Sequence, residues 1–425
     1  MKQEQKRAKQ LFDFIEKSPT AYQAVEELAK RFTGAGYECL KEQEHWEIRK
    51  GGKYYVVRND SSLLAFAIPE KEAKGFHIVA AHSDSPTFKI KEHPEMKVED
   101  AYVRLNTEKY GGMILNTWLD RPLSVAGRVA AETDGKVVSR NVVVDQDLFV
   151  IPNLAIHMNR DANKGVELNP QQDMLPLFAG AGTDASLSEI IAQACGLKAQ
   201  QILAHDLFLY VRQKGCLVGA QEEFILSPRL DDLQCVFGAA TAMITCEAKE
   251  YINVCAVFDN EEVGSSTRQG ADSTFLEDVL VRIREGLGQS EEWLRRLIAD
   301  SFLISADNAH ALHPNQTSKA DPVNRPLLNG GVVLKYHGNQ KYTTDALSAA
   351  TLKLLAKKAK VPVQVYTNRS DIAGGSTLGN ISMRHVSIPS ADIGLPQLAM
   401  HSAVETAGVK DTEYLIRLLE EFYGA

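Results

Sequence analysis

The sequence predicts an α/β protein with a mostly parallel central sheet, helices on both faces of that sheet, and an inserted β-rich domain. Short continuous apolar runs, such as 76–81 and 254–258, are typical of strands that are buried on both faces. Helical periodicity alternates with these runs in the flanking parts of the chain, whereas hairpin signals replace it between 93 and 228. We therefore expect a discontinuous α/β domain, 1–92 with 229–425, and a β-rich domain over 93–228.

Helical periodicity in the flanking parts defines the helices of the predicted α/β domain. Apolar side chains cluster on one side of 4–17, Ser18-Pro19 ends this helix, and Thr20 is a candidate N-cap for the next one. A helix over 344–360 ends in lysines, which are favourable at the C-terminal end of a helix dipole. The remaining predicted helices are 21–32, 185–194, 235–246, 275–287, 291–298 and 413–422.

Strands are predicted where apolar runs are short or where hairpin turns separate them. In the α/β domain, strands are expected at 76–81, 251–258, 302–305 and 363–366. In the β-rich domain, 125–131 and 137–144 flank a turn at Thr133-Asp134-Gly135, an arrangement typical of a hairpin. The other expectations there are strands at 201–212 and 216–226 and a long polar loop over 161–182.

Charge and composition exclude several classes of protein. The 425 residues carry a formal net charge of −8, which argues against a partner that is held through nucleic-acid phosphates. No apolar run reaches the ~18 residues of a membrane span, and no secretory signal is visible. The six cysteines form no C-x-x-C pair, and several lie in apolar surroundings, as reduced thiols do. We therefore expect a cytoplasmic protein with no nucleic-acid and no membrane partner.

Acidic and histidine side chains follow the predicted buried strands where these strands end. The run at 254–258 stops at three carboxylates within four residues, which can be interpreted as a solvated turn because unpaired buried ions are costly. Ligands of open α/β sheets, however, gather at the carboxyl ends of strands. The residues concerned are His82 and Asp84, Asp259, Glu261 and Glu262, and Asp307, with Asp231-Asp232 and His401 as further candidates.

Histidine together with carboxylates is the ligand chemistry of zinc, manganese or cobalt. Five such ligands, one of them a bridging carboxylate, fit two metal ions about 3.5–4 Å apart. The adjacent Glu261 and Glu262 can have different roles, because one can bind metal while the other accepts a proton from the attacking water. Asp84, two residues after His82, can hold the imidazole through its other nitrogen. On the residues alone, a metal site and a set of solvated turns both stay open.

Six stretches occur in order along nearly the whole chain and form a specific pattern. They are Ser18-Pro19-Thr20-Ala21-Tyr22, His82-Ser83-Asp84-Ser85-Pro86, Arg229-Leu230-Asp231-Asp232-Leu233, Phe258-Asp259-Asn260-Glu261-Glu262-Val263-Gly264-Ser265, Ser305-Ala306-Asp307-Asn308-Ala309-His310-Ala311-Leu312-His313-Pro314-Asn315 and Leu398-Ala399-Met400-His401-Ser402. Together they resemble the M18 metallopeptidases, the aspartyl aminopeptidase family of dinuclear-zinc aminopeptidases. The resemblance implies a zinc-aminopeptidase-like fold with two divalent metal ions per subunit, zinc in the first place. It also implies a tetrahedral dodecamer in which the inserted domain makes subunit contacts.

The resemblance further implies a role for each candidate residue. The metal ligands are His82, Glu262 and a bridging Asp231 for one ion, and His401, Asp307 and the same Asp231 for the other. Glu261 is the general base, and Asp84 orients His82. His157 resembles a histidine that helps stabilise the transition state in a neighbouring subunit's site, with a packed strand histidine as the alternative. Lys335 resembles part of the specificity pocket, with a solvated lysine as the alternative.

One position departs from the family pattern. The family usually has Leu-Asp-Asn-Leu where this chain has Leu230-Asp231-Asp232-Leu233. The second carboxylate adds negative charge beside the expected ligand and leaves two candidates for one role. We assign the ligand position to Asp231.

The predicted function is a dinuclear metal-dependent aminopeptidase that hydrolyses the N-terminal residue from peptides with metal-activated water and a glutamate general base. Lys335 favours acidic N-terminal residues, because a lysine can pair with a substrate carboxylate. Two alternatives stay open: an amidohydrolase or carboxypeptidase-type deacylase with the same site, and a non-catalytic assembly protein with a degenerate site. Peptide substrates and a homo-oligomer, with a dodecamer as the expected assembly, complete the prediction.

Overall fold

The structure of the protein is a computed structural model that describes residues 2–180, 182–375 and 377–425. The chain divides into two compact units. The first unit comprises Met1–Asp84, Gly215–Met400 and Glu405–Ala425, and the second comprises Ser85–Lys214 and His401–Val404. The domain bounds expected from the sequence pattern, 1–92 with 229–425 and 93–228, stay a prediction.

The helices lie close to the positions that periodicity predicts. Two of them begin at side-chain caps: Ser290 accepts a hydrogen bond from the backbone N–H of Trp293, and Asp345 accepts one from that of Ser348. The helices are α1 (Gln3–Glu16), α2 (Ala21–Gly34), α3 (Leu187–Cys195), α4 (Leu230–Thr245), α5 (Phe275–Gly286), α6 (Glu291–Ala299), α7 (Ala346–Ala359), α8 (Leu378–Ser382) and α9 (Asp411–Tyr423). In the part of the chain that the structure describes, we find no helix with the length and apolar character needed to cross a membrane.

The strands are more numerous than the apolar runs predict. They are β1 (Glu38–Leu40), β2 (Lys53–Arg58), β3 (Ser62–Ala67), β4 (Phe76–His82), β5 (Thr87–Val98), β6 (Tyr102–Tyr110), β7 (Leu123–Thr133), β8 (Lys136–Val143), β9 (Leu177–Gly180), β10 (Ile202–Val211), β11 (Cys216–Val218), β12 (Phe224–Ser227), β13 (Ile252–Phe258), β14 (Phe302–Ala306), β15 (Ala309–His310), β16 (Val332–Tyr336), β17 (Val363–Thr367), β18 (Ser390–Gly394), β19 (Pro396–Leu398) and β20 (Glu405–Gly408).

The large sheet of the first unit has the strand order β1-β2-β3-β13-β4-β14-β18-β16-β17. The neighbours β13, β4, β14 and β18 run parallel to one another. The strand β3 is antiparallel to β2 and β13, and β16 is antiparallel to β18. The α/β class is therefore confirmed, and the sheet is mixed.

Apolar side chains cover both faces of this sheet, which explains why its central strands are apolar at nearly every position. Along β4, Val79 and Ala81 pack into a core with α1, α2, α4, α7 and α9, whereas Ile78 and Ala80 pack into a second core with α5, α6 and α8. Burying one Leu, Ile or Phe side chain contributes about 1.5–3 kcal/mol. The sheet is therefore a rigid platform for the residues at its strand ends.

The register of the central strands brings their carboxyl ends to one edge of the sheet. Phe258, the last residue of β13, pairs with His82, the last residue of β4. Ser305 of β14 pairs with Ala80 of β4, so Asp307 and His82 each lie two residues beyond a paired position. Residues that are far apart in the sequence thus leave the sheet side by side.

A small sheet in the first unit has the order β11-β12-β20-β19-β15. The single strand that the sequence predicts over 216–226 is wrong, because this segment folds back as the antiparallel pair β11 and β12. Gly219 and Glu222 both have positive φ between the two strands, and this backbone turn interrupts the apolar run.

The second unit contains a sheet with the order β8-β7-β10-β5-β6-β9, and its neighbouring strands are antiparallel. The predicted hairpin is confirmed as β7 and β8. Its two turn residues, Asp134 and Gly135, have φ of 51° and 71°, as a tight hairpin turn requires. The predicted loop over 161–182 is wrong in part, because it contains β9.

Candidate metal centre

His82 lies at the centre of a group of buried carboxylates in the first unit. Its side chain is 1% exposed, and its two ring nitrogens face different acids. Nε2 is 3.5 Å from Oδ1 of Asp231, and Nδ1 is 3.3 Å from Oδ1 of Asp84. The backbone N–H of His82 also donates to Oδ2 of Asp232 at 3.2 Å. The imidazole is thus held at both ring nitrogens, and the backbone of His82 is held by Asp232.

Asp84 contacts more of the site than the sequence predicts. Besides facing His82, its Oδ1 accepts a hydrogen bond from the backbone N–H of Glu261 at 3.1 Å. Its Oδ2 accepts one from the backbone N–H of Glu262 at 3.2 Å. One buried carboxylate therefore holds both the histidine at the end of β4 and the turn that follows β13.

The turn after β13 is built by a residue that tolerates a left-handed backbone. Asn260 has φ of 62°, and its Oδ1 accepts hydrogen bonds from Thr267 and from Gln269. Oδ1 of Asp259 accepts the backbone N–H of Asn260 at 2.7 Å. These bonds direct the chain at Glu261 and Glu262 back toward β4.

Asp231 and Asp232 lie at the start of α4, where their backbone angles are not helical. Both side chains are buried. The backbone N–H of Asp231 donates to Oε2 of Glu405 at 3.0 Å. Glu405 is 2% exposed, and the sequence pattern does not identify it as a site residue. A carboxylate inside a buried strand is unusual and is the signal that could have indicated it.

Asp307 follows β14 and has a buried cation as its neighbour. Nζ of Lys335 is 3.6 Å from Oδ2 of Asp307 and donates to the backbone carbonyl of Asn308 at 2.9 Å. Lys335 is 3% exposed, so the alternative of a solvated lysine is wrong. Burial alone lowers the pKa of Lys335, but the negative charge of Asp307, with Tyr342 and Asp392 beside it, raises that pKa above its usual value.

The donor atoms of the first unit form two overlapping sets. Ligand atoms of His82, Asp231, Asp232 and Asp307 lie within 4.8 Å of one another, and so do those of His82, Glu261 and Glu262. Two carboxylates 4 Å apart repel each other by about 4 kcal/mol at an effective dielectric constant of about 20. An imidazole with several carboxylates at such spacing is the donor set of zinc, manganese or cobalt. The residues present therefore fit a divalent metal.

The charge of His82 reflects this acidic environment. Burial lowers the pKa of the imidazole, but the hydrogen bonds to Asp231 and Asp84 and the nearby charges of Asp232 and Glu261 raise it well above its usual value. The carboxylates of the site therefore favour positive charge at their centre.

The pKa values of the carboxyl groups are raised as well, which favours the neutral form of each acid. Burial raises the pKa of Asp232 well above its usual value, and the charges of Asp307 and Asp231 raise it further. Burial likewise raises the pKa of Asp307, although Lys335 opposes the shift. Burial raises the pKa of Glu261 to about 8, where a carboxylate is a stronger base than an exposed glutamate.

Two predicted site residues lie in the second unit. His401 has φ of 66°, and its Nδ1 is 3.0 Å from the backbone carbonyl of Gly112. His157 is exposed in a turn, so the alternative of a packed strand histidine is wrong. The first unit brings together His82, Asp84, Asp231, Glu261, Glu262, Asp307 and Lys335.

The sequence matches one family along almost its whole length. The family described as "Aminopeptidase I zinc metalloprotease (M18)" matches residues 14–423. A "Probable M18 family aminopeptidase 2" of Clostridium novyi is 47% identical over 431 residues, which cover 100% of both chains. A protein of the same description from Pseudomonas syringae pv. tomato is 41% identical over 98% of both chains.

Solved structures of similar proteins have the same fold. Ape4 in the cryo-EM structure of the Ape4 and Nbr1 complex is 38% identical, with a TM-score of 0.95 over 98% of this chain and 85% of that chain. The S. cerevisiae mApe1 dodecamer is 27% identical, with a TM-score of 0.86 over 98% of this chain and 96% of that chain.

Proposed function

The chain belongs to the M18 family and is a metallo-aminopeptidase, and from this premise we propose that it removes N-terminal residues from peptides at a centre of two divalent metal ions. The observation that carries the proposal is the buried cluster of His82, Asp231 and Asp307 at the carboxyl ends of neighbouring strands. Such a cluster stabilises bound cations and costs free energy without them.

The proposed ligands divide into two sets that share one carboxylate. His82, Glu262 and Asp231 hold one ion, and His401, Asp307 and Asp231 hold the other. For the first unit the proposal is supported by the proximity of the donor atoms, and for His401 by the family resemblance. Zinc is the proposed metal, with manganese or cobalt as functional substitutes. When bound, the ions would polarise the scissile carbonyl and lower the pKa of water.

Glu261 is proposed as the general base that accepts the proton of the attacking water and passes it to the leaving amine. Its support is its position beside His82 and its fixed backbone, which donates to Asp84. Asp84 orients His82 through Nδ1, so that Nε2 faces Asp231. His157 of a neighbouring copy is proposed to stabilise the transition state, and its exposed position supports this role.

Lys335 is proposed as the residue that favours acidic N-terminal side chains. It brings a buried positive charge to within 3.6 Å of a carboxylate oxygen of Asp307, at the edge of the proposed metal site. A carboxylate of the substrate near this charge gains a charge-assisted interaction that a neutral side chain lacks.

A homo-oligomer is proposed, with a dodecamer as its form, in which the β-rich domain over 93–228 makes subunit contacts. One solved relative is a dodecamer, and Leu154, Ile156 and Met158 are exposed apolar side chains around His157. A cytoplasmic location is also proposed, supported by six free cysteines.

One experiment tests the proposal. The purified protein is assayed on aminoacyl substrates of aspartate, glutamate and leucine, and on their N-acetylated forms, before chelation, after chelation and after addition of Zn²⁺. We expect hydrolysis of the free-amine substrates, loss on chelation, recovery with zinc, and faster turnover of the acidic substrates. Full activity of the stripped protein would contradict the metal centre. Faster hydrolysis of the N-acetylated substrates would favour a deacylase. Equal rates on the aspartate, glutamate and leucine substrates would contradict the proposed preference for acidic residues.

A further inference from the structure

Asn308 joins three elements of the first unit beside the proposed metal ligands. It directly follows Asp307 and is 2% exposed. Its side-chain Nδ2 donates to the backbone carbonyl of Leu230 and to Oε1 of Gln397, each at 2.9 Å, and lies 3.3 Å from Oε1 of Gln234. An amide has two N–H groups, so these acceptors use its full donating capacity.

The acceptor side of Asn308 is also occupied. Its Oδ1 accepts from the Sγ–H of Cys235 at 3.3 Å, and its backbone carbonyl accepts from Lys335 at 2.9 Å. Gln234 in turn donates to Thr412 of α9 at 2.9 Å. The result is a buried polar network that connects the start of α4, the end of β14, and the strands β16 and β19.

The contact with Leu230 has a specific consequence for Asp231. The carbonyl of Leu230 and the N–H of Asp231 belong to the same peptide group. Asn308 holds this group at its oxygen, and Glu405 holds it at its nitrogen. A planar peptide group that is fixed at both polar atoms has little freedom to rotate. The backbone that carries the side chain of Asp231 is therefore held in place.

On the basis of the proposed metal centre, we infer that Asn308 is a positioning residue that sets the separation of the Asp231 and Asp307 carboxylates and thereby the affinity for metal. Asn308 is covalently next to Asp307 and is hydrogen-bonded to the peptide group that joins Leu230 to Asp231, so it links the backbones that carry the two carboxylates. A carboxylate pair held at a fixed separation binds a cation without an ordering cost.

Another buried asparagine provides a matched control. Asn253 in β13 is 1% exposed, and its Nδ2 donates to the backbone carbonyl of Tyr423 at 2.9 Å. It pairs with His77 at the amino end of β4, whereas the site lies at the carboxyl end. Its replacement removes a buried amide of the same size without touching the proposed ligands.

The test compares Asn308→Ala, Asn308→Ser and Asn253→Ala with the wild-type protein. Each protein is stripped with a chelator, and its Zn²⁺ affinity is measured by competition with a chromophoric chelator, alongside its melting temperature. We expect all three variants to have a lower melting temperature than the wild type. We expect Zn²⁺ affinity to fall about 10–100-fold in Asn308→Ala and also in Asn308→Ser, whose shorter side chain does not reach the carbonyl of Leu230, and to stay unchanged in Asn253→Ala.

The outcomes separate this inference from the proposed function. Equal Zn²⁺ affinity in Asn308→Ala and Asn253→Ala would overturn the positioning role while leaving the metal centre intact. A wild-type protein that takes up no Zn²⁺ would overturn the metal centre and the inference together. If Asn308→Ala does not fold, Asn308→Ser carries the same comparison, and an affinity equal to that of the wild type would overturn the role.

Discussion

Buried ionisable side chains occupy two kinds of environment in the first unit. Around His82, several carboxylates place their oxygens within 4.8 Å of one another. His77 and Asp411 are buried among aromatic rings and backbone amides instead. The ring of His77 stacks on Tyr251 at 3.8 Å, and Asp411 accepts hydrogen bonds from two backbone N–H groups.

The two environments offset the free-energy cost of burying an ionisable group in different ways. A lone buried group can adopt its neutral form by a shift of its own pKa. Burial accordingly lowers the pKa of His77 to about 4 and raises that of Asp411 to about 7. In the cluster, several acids surround one imidazole, and a bound cation stabilises all of their charged forms at once. Crowding of carboxylates, rather than burial as such, is what distinguishes a metal site.

Glu261→Gln, in the cluster around His82, is expected to have the greatest effect on activity. Glutamine keeps the size of the side chain but cannot accept the proton of water, so the turnover rate should fall by about 10²-fold or more. The measurement is kcat on an aminoacyl substrate together with metal content, and we expect the metal to be retained.

The control for Glu261→Gln comes from the other environment. Asp411→Asn also replaces a buried acid by its amide, but at a position packed against Asn329 and Gly331. We expect its kcat to match that of the wild type once both proteins are folded. A near-normal rate in Glu261→Gln would contradict its role as the base.

His77 is expected to make the protein sensitive to acid. Its pKa is about 4 in the folded protein and near 6.5 when unfolded, so the unfolded state binds more protons between these values. The contribution of neutral His77 to stability is therefore fully present above pH 6.5. It is lost as the pH decreases toward 4, and the total loss is about 3 kcal/mol. In His77→Phe, urea unfolding at several pH values should show a smaller decrease. An unchanged slope would contradict the assignment of this acid sensitivity to His77.

Asp411 is expected to change stability with pH in the opposite direction. Its pKa is raised to about 7 in the folded protein, so its contribution to stability is lost as pH rises from about 4 to 7. Asp411→Asn removes this pH-dependent loss of stability. However, the amide N–H of the new asparagine then faces one of the two backbone N–H groups that donate to Asp411. We expect the variant to be less stable than the wild type by about 1–3 kcal/mol at pH 5, with a smaller difference at pH 8. Equal differences at both pH values, measured by urea unfolding, would argue against a titrating Asp411.

The strands that carry the site could be predicted because their sequences are apolar at nearly every position. Both β4 and β13 are buried at every position, and a polar residue marks the point where each run stops. By contrast, β18 (Ser390–Gly394) escaped prediction, because its alternation of polar and apolar residues is brief and its Ser, Asp and Gly residues are typical of turns. It lies between β14 and β16, where position in the sheet, not local propensity, determines its conformation.

Contacts between side chains and distant backbone groups also escaped prediction. The sequence places Asp84 near His82, but the hydrogen bonds that its carboxylate accepts from the N–H groups of Glu261 and Glu262 depend on the pairing of β4 with β13. Glu405 and Asn308 are distant in sequence, and both form hydrogen bonds with the peptide group between Leu230 and Asp231. These pairings are set by tertiary packing, so no local sequence pattern specifies which residues pair.

The double contact of Asp84 has an evolutionary consequence. Asp84 contacts the imidazole through its backbone carbonyl and its carboxylate, and the same carboxylate binds the turn that bears the two glutamates, so a substitution at this position affects both. Mutations at Asp84 and at Glu261 should therefore show strong epistasis, with combined effects well below the product of the single ones. Selection for a different metal through this residue would also alter the reaction rate, so these two traits cannot evolve independently at this position.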